Sequence, residues 1–228
     1  MKEILPGIFR WERRFGPGIP GASLYIRTAA GPVVIDPLIP PEGFDALAEL
    51  GDPVAVILTT HWHERDALAY EARFGVRRYV NALPDARESR RGTRFHAGEV
   101  LLETFRTLDV GGISPGETGL LLERDGGILI VGDAFFNFEG FDITNPLSLL
   151  VPLLMPYGPP QPRPAWLSDD MRLSRRQLET LATQPFAHLL PSHGEPLIGD
   201  AAAKVAAALD RQNRAQRGLW SHSHAAHV

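Results

Sequence analysis

Val54-Ala55-Val56-Ile57-Leu58-Thr59-Thr60-His61-Trp62-His63-Glu64-Arg65-Asp66 decides the reading of this chain. An apolar, β-branched run marks a buried strand. It gives way to two imidazoles two positions apart, and then to a helical pattern with Leu68, Ala69, Ala72 and Phe74 as its expected buried residues. Along an extended segment alternate side chains share a face, so His61 and His63 can converge on one ion. The ends of buried strands are also where open sheets keep their sites. Taken alone, the pair equally suits two polar residues hydrogen-bonded at a strand end. Two downstream stretches favour the metal: Val131-Gly132-Asp133 follows a second apolar run, and Pro191-Ser192-His193-Gly194 follows a third. Each delivers a metal-capable side chain just past a strand.

Upstream, Ile8 to Glu12 alternates as a half-buried strand. Leu24 to Arg27 and Val33 to Asp36 form a hairpin across Ala29-Ala30-Gly31-Pro32. Phe44, Leu47, Ala48 and Leu50 fall at helical spacing, with Gly51 as the cap. Beyond the histidine pair, short strands are expected at 77–80, 100–102 and 104–108. A further hairpin joins 120–123 to 128–131 across Asp125-Gly126-Gly127. The charged run from Asp85 to Thr93 reads as a solvated turn. From about Ala134 to Trp166, prolines interrupt an apolar sequence, so an irregular insert is expected there, as lid, pocket wall or dimer contact. Ser174-Arg175-Arg176-Gln177 resembles a capping box that opens a helix. A strand at 188–190 and a helix at 201–213 follow, and the His-containing tail 219–228 is expected to fray. Hairpins and helices mix, which fits two mixed sheets covered by helices better than one parallel sheet.

The 228 residues, 44% hydrophobic and 22% charged, suit a single domain, 1–228, of a globular protein. There is no cysteine, so any metal must be held by nitrogen and oxygen. A net charge of −4 weighs against a nucleic-acid partner. Neither a signal-peptide core nor a membrane-length apolar run is present, so a cytoplasmic protein with no membrane partner is expected.

These residues resemble the metallo-β-lactamase fold superfamily, the αββα sandwich hydrolases that include glyoxalase II-type thioesterases and lactonases. The landmarks are Asp36, Thr60-His61-Trp62-His63-Glu64-Arg65-Asp66, Gly112-Ile113-Ser114-Pro115-Gly116-Glu117, Gly132-Asp133 and Pro191-Ser192-His193-Gly194. In that family a His-x-His-x-Asp-His motif supplies two ligands to each of two ions, a later loop histidine completes the first, an aspartate bridges both, and a last histidine serves the second. His61, His63, Asp133 and His193 match these positions. Arg65 stands at the motif aspartate, Asp66 at its second-site histidine and Ile113 at the loop histidine.

The resemblance implies an eroded dinuclear site. A first ion, zinc or iron, would keep His61, His63 and Asp133; a second would keep Asp133 and His193, with Asp66 a third ligand if it reaches. Arg65 cannot ligate, and its fixed charge would repel a dication and pair with Asp133 or Asp66. Two functions follow as expectations. One is hydrolysis of a small ester, thioester or lactone at one ion, Asp133 orienting water and Arg65 or His193 stabilising the oxyanion. The alternative is a metal-free, non-catalytic protein that grips a small molecule or a partner.

Overall fold

Residues 1–14, 20–82, 91–138, 159–164 and 167–225 are described by the computed structural model, with side chains of the last helix described as far as Arg214. The charged stretch 83–90 and most of the insert, 139–158 and 165–166, lie outside the described residues, and with them the expectations of a lid, a pocket wall or a dimer contact.

The first sheet has seven strands in chain order: β1 (Lys2–Leu5), β2 (Ile8–Arg13), β3 (Gly21–Ile26), β4 (Val33–Ile35), β5 (Ala55–Ile57), β6 (Arg77–Asn81) and β7 (Thr93–Phe95). Its first four strands pair antiparallel. From β4 to β7 the pairing is parallel. Parallel neighbours need crossovers; α1 (Asp45–Ala48) and α2 (Ala67–Phe74) lie on two of them. The second sheet is built from β8 (Val100–Leu101), β9 (Phe105–Asp109), β10 (Thr118–Leu122), β11 (Ile128–Val131) and β14 (His188–Pro191), in the order β14-β11-β10-β9-β8. β14 joins β11 in parallel after α3 (Met171–Ala182), and α4 (Ala201–Ala225) closes the chain. The short strands β12 (Phe135–Phe136) and β13 (Gln161–Pro162) pair with each other at the two ends of the insert.

Strand periodicity sorts the apolar residues into three layers. Leu24, Ile26, Ile35 and Ile57 of the first sheet interleave with Leu120, Leu122, Ile128 and Ile130 of the second. Tyr25, Val34 and Val56 point the other way, onto Leu47 of α1 and Tyr70 of α2. Leu121, Leu129, Val131 and Leu189 face Leu178 and Leu181 of α3 and Val205 and Leu209 of α4. The product is an αββα sandwich, as expected from the mixed hairpins and helices.

Three local expectations are corrected. α2 buries Ala67 and Tyr70, while Leu68 is 59% exposed. Tyr70 sets that phase: its hydroxyl donates to the Leu38 carbonyl at 2.7 Å and its ring packs on Phe44. α3 opens at Asp170, whose carboxylate accepts from the Arg172 and Leu173 N–H groups, so Ser174 lies inside the helix and caps nothing. α4 continues past 213 to Ala225. Among the described residues no helix is long and apolar enough to cross a membrane.

Candidate metal centre

The sheets meet at one end, where their parallel strands finish. β4 releases Asp36, β5 leads to Thr59 through His63, β11 to Asp133, and β14 to Ser192 and His193. Backbone bonds stitch the two sheets together there: Thr118 N–H to the Thr59 carbonyl at 2.7 Å, His61 N–H to Pro115 at 2.9 Å, and Ala22 N–H to Ser192 at 2.7 Å. Loops that leave strand ends this close must share one cluster of side chains.

The histidine pair is not extended. His61–Glu64 forms a 3-10 turn, with Thr60 as its cap. In a 3-10 turn two positions are separated by about 240° of rotation, so the rings diverge. His61 is buried with Nε2 on the Asn81 carbonyl at 2.9 Å. Gly116 makes room for that ring, because a Cβ there would stand 2.3 Å from His61 Cδ2. The expected convergence of His61 and His63 on one ion therefore fails. Alternation belongs to strands, and the strand ends at Ile57.

His63 turns inward and meets Asp133 and His193. One ligand atom from each lies within 4.8 Å of the others. Asp133 Oδ1 is 3.6 Å from His63 Nε2 and 3.2 Å from His193 Nε2. Two donors about 2.0–2.1 Å from a tetrahedral zinc stand about 3.3 Å apart, so these separations suit one ion. The far ring nitrogens are pinned: His63 Nδ1 lies 2.9 Å from Asp36 Oδ2, and His193 Nδ1 lies 2.8 Å from the Pro20 carbonyl. Each of those partners only accepts, which assigns the proton to Nδ1 and leaves Nε2 facing Asp133. This is the outer-shell arrangement that fixes a metal-binding imidazole. Two imidazoles and a carboxylate suit zinc or iron(II); the residues present fit such an ion.

Asp36 anchors the whole group. Buried and held at φ 50°, it accepts from the Thr59 N–H at 2.8 Å, the Thr59 hydroxyl at 2.6 Å and the Ser192 hydroxyl, besides His63. Burial opposes its charge, but His63, Arg65 and Ser192 outweigh that and hold its carboxyl at about 2. Asp133 is treated alike: burial raises its pKa, while His193, His63 and Arg163 bring it well below the usual carboxylate range. Glu117 goes the other way. Burial first, and the charge of Asp133 second, push its carboxyl well above normal, against the Ser114 hydroxyl and the Asp133 N–H. Glu117 accepts from the Ser114 hydroxyl at 2.6 Å and from the N–H groups of Asp133 and Ala134, and the Thr60 hydroxyl beside Ser114 donates to the Pro115 carbonyl.

The three odd positions are settled by packing. Asp66 is taken up by Arg13, at 2.6 and 3.0 Å, and by the Ile39 N–H at 2.7 Å, so it cannot serve as a free ligand. Arg65 sits at φ 44° with its guanidinium on the carbonyls of Ala22 and Asp36. It is turned inward, and the charges of Asp36 and Asp133 both act on it. Ile113 is fully buried among Val110, Leu121 and Leu178, part of the apolar layer under α3. The residue that sequence reading missed is Arg163. Following β13, it brings Nη1 to 3.3 Å from Asp133 Oδ2 and lies over the Trp62 ring at 5.5 Å. Thirty residues of chain separate it from Asp133; the sole hint was a lone arginine between Pro162 and Pro164.

No protein-family model matches the chain, and no curated protein matches it in sequence. Solved structures do match. A metallo-β-lactamase family protein from Thermus thermophilus aligns with a TM-score of 0.64 at 17% identity, over 95% of this chain and 83% of that one. The metallo-β-lactamase DIM-1 gives 0.62 at 14% identity, over 94% and 96%. TTHA1623, solved in a di-iron-bound form, gives 0.56 at 20% identity, over 82% and 93%. This chain has the fold of the metallo-β-lactamase superfamily. At such identities the likeness is one of fold, and the chemistry has to be argued from the residues above.

Proposed function

We propose that this protein is a cytoplasmic hydrolase that holds one zinc or iron(II) ion between His63, Asp133 and His193 and cleaves a small ester, thioester or lactone. The observation that carries the reading is the pair of imidazoles pinned through Nδ1, with both Nε2 atoms aimed at one carboxylate oxygen. When bound, the ion would polarise a carbonyl and lower the pKa of a water toward ~7.

The chain's own groups supply the rest. Asp133 is held ionised by its neighbours and can accept a hydrogen bond from an attacking water, fixing its orientation. Arg163 uses Nε and Nη2 on the Leu167 carbonyl and Nη1 on Asp133. A guanidinium has five N–H groups, so two remain to stabilise a developing oxyanion as fixed donors. Trp62, half-exposed beneath that guanidinium, offers an apolar surface to the acyl group. The oxyanion role expected of Arg65 or His193 passes to Arg163, because Arg65 is bound to backbone carbonyls and His193 is committed at both nitrogens.

The test uses untagged protein purified without chelator. Metal is counted, and ester, thioester and lactone substrates are assayed with zinc or iron(II) added. One ion per chain and turnover are expected, with both lost in His63→Ala and His193→Ala. Wild-type protein that takes up neither metal would overturn the reading.

A second reading rests on the Asp133–Arg163 contact. That ion pair neutralises the carboxylate without metal, as a non-catalytic binder of small carboxylates would require. It predicts no metal and no turnover, with carboxylate binding that depends on Arg163.

A further inference from the structure

We propose that Arg163 is the second cation of this centre, so that the site seats one metal ion and excludes another. The inference rests on the reading that His63, Asp133 and His193 hold an ion. A carboxylate can bridge two ions by offering one oxygen to each. Here Oδ1 faces the two imidazoles, and Oδ2 faces Arg163 Nη1 at 3.3 Å.

Arg163 is built into that place. Its N–H donates to the Ala134 carbonyl at 3.0 Å, which ties its backbone to the residue after Asp133. Nε and Nη2 reach the Leu167 carbonyl at 3.1 and 2.9 Å, and the side chain is only 9% exposed. The guanidinium cannot leave without breaking these bonds and uncovering the Trp62 ring. It also cannot lose its proton to become a ligand.

The residues that would have to complete a second ion are engaged elsewhere. Both Asp66 oxygens are used by Arg13 and Ile39. Arg65 brings another fixed positive charge, held on the carbonyls of Ala22 and Asp36. The charges of two guanidinium groups thus act on Asp133, that of Arg163 at Oδ2. The same charges oppose the first ion, so removing Arg163 should tighten it.

Zinc is titrated into metal-free protein against a chromophoric chelator, and bound ions are counted by native mass spectrometry. Wild type is expected to bind one zinc. Arg163→Met should bind it at least ~10-fold more tightly, because a full carboxylate charge then faces the ion alone. Arg163→Lys, which keeps the charge, should stay within about threefold of wild type. Thermal unfolding of each metal-free variant checks the fold; if the Met variant does not fold, Arg163→Gln, whose amide can still donate to Leu167, takes its place. Two zinc ions on wild type, or unchanged or weaker zinc binding in the folded neutral variant, would overturn the proposal. Loss of zinc in His63→Ala and His193→Ala alongside that failure would remove the role of Arg163 and leave the centre standing. Retention of zinc in those two variants would remove the centre itself.

Discussion

Replacing Asp36 by Asn changes one oxygen into an amide and should disable the centre without touching a ligand. Asp36 Oδ2 accepts from the Thr59 and Ser192 hydroxyls and from His63 Nδ1. With the amide nitrogen in that place, both hydroxyls can turn and accept. The imidazole cannot, unless its proton moves to Nε2, where it points at Asp133 and blocks the lone pair. The other amide orientation sets NH2 against the Thr59 N–H, now 2.8 Å from Oδ1. The first orientation takes away the outer-shell partner of His63, a loss that typically weakens metal binding by about 10–100-fold; the second keeps that partner and gives up the bond from the Thr59 N–H instead.

The same change affects stability. Asp36 is depressed from 3.8 to about 2 in the folded chain and is completely buried, so its ionisation contributes roughly 2 kcal/mol at neutral pH. A depressed carboxyl stabilises above its unfolded value, and that contribution is lost as pH falls from about 4 through 2. Asp36→Asn should therefore unfold about 4–8 °C lower at pH 7 and lack that part of the acid-induced loss. Calorimetry of the metal-free protein at pH 7 and pH 3, with a zinc competition assay, measures both effects. A variant with wild-type zinc affinity and the same acid slope would refute the reasoning.

His61→Ala should keep zinc within about threefold of wild type while losing roughly 1–3 kcal/mol of stability, since the ring supports the Asn81 carbonyl and not the ion; metal titration and chemical denaturation separate the two. Ile113→His should restore no ligand and should cost about 2–4 kcal/mol, because it places an imidazole in a fully buried apolar layer; metal counting and urea unfolding check this. Arg78→Ala should cost about 2–4 kcal/mol, since Arg78 joins Glu64, at the end of the histidine turn, to Glu71 of α2. It should also weaken zinc, which a coupled titration and thermal scan would show.

The sandwich itself was readable from pattern. The apolar runs Val54 to Leu58 and Ile128 to Val131 hold the buried strands β5 and β11, although Val54 itself is 44% exposed, and turn residues mark their ends. The helices were harder. Leu68 looks like a core residue and is exposed, because Tyr70 and Phe44 decide which side of α2 is buried. The edge strand β7 and the short ribbon of β12 and β13 carry no periodicity long enough to read.

Sequence alone determined that Asp36, the pair His61 and His63, Asp133 and His193 stand just past strands; that these strand ends meet came from the arrangement of the two sheets. Sequence could do so because strand periodicity is a short-range property, carried by neighbouring residues. Only the tertiary structure decided that His61 turns away, that Asp66 belongs to Arg13, and that Arg163 reaches Asp133. Those outcomes depend on a change of backbone dihedrals within one turn and on contacts between segments far apart in the chain. Neither is written in the spacing of residue types.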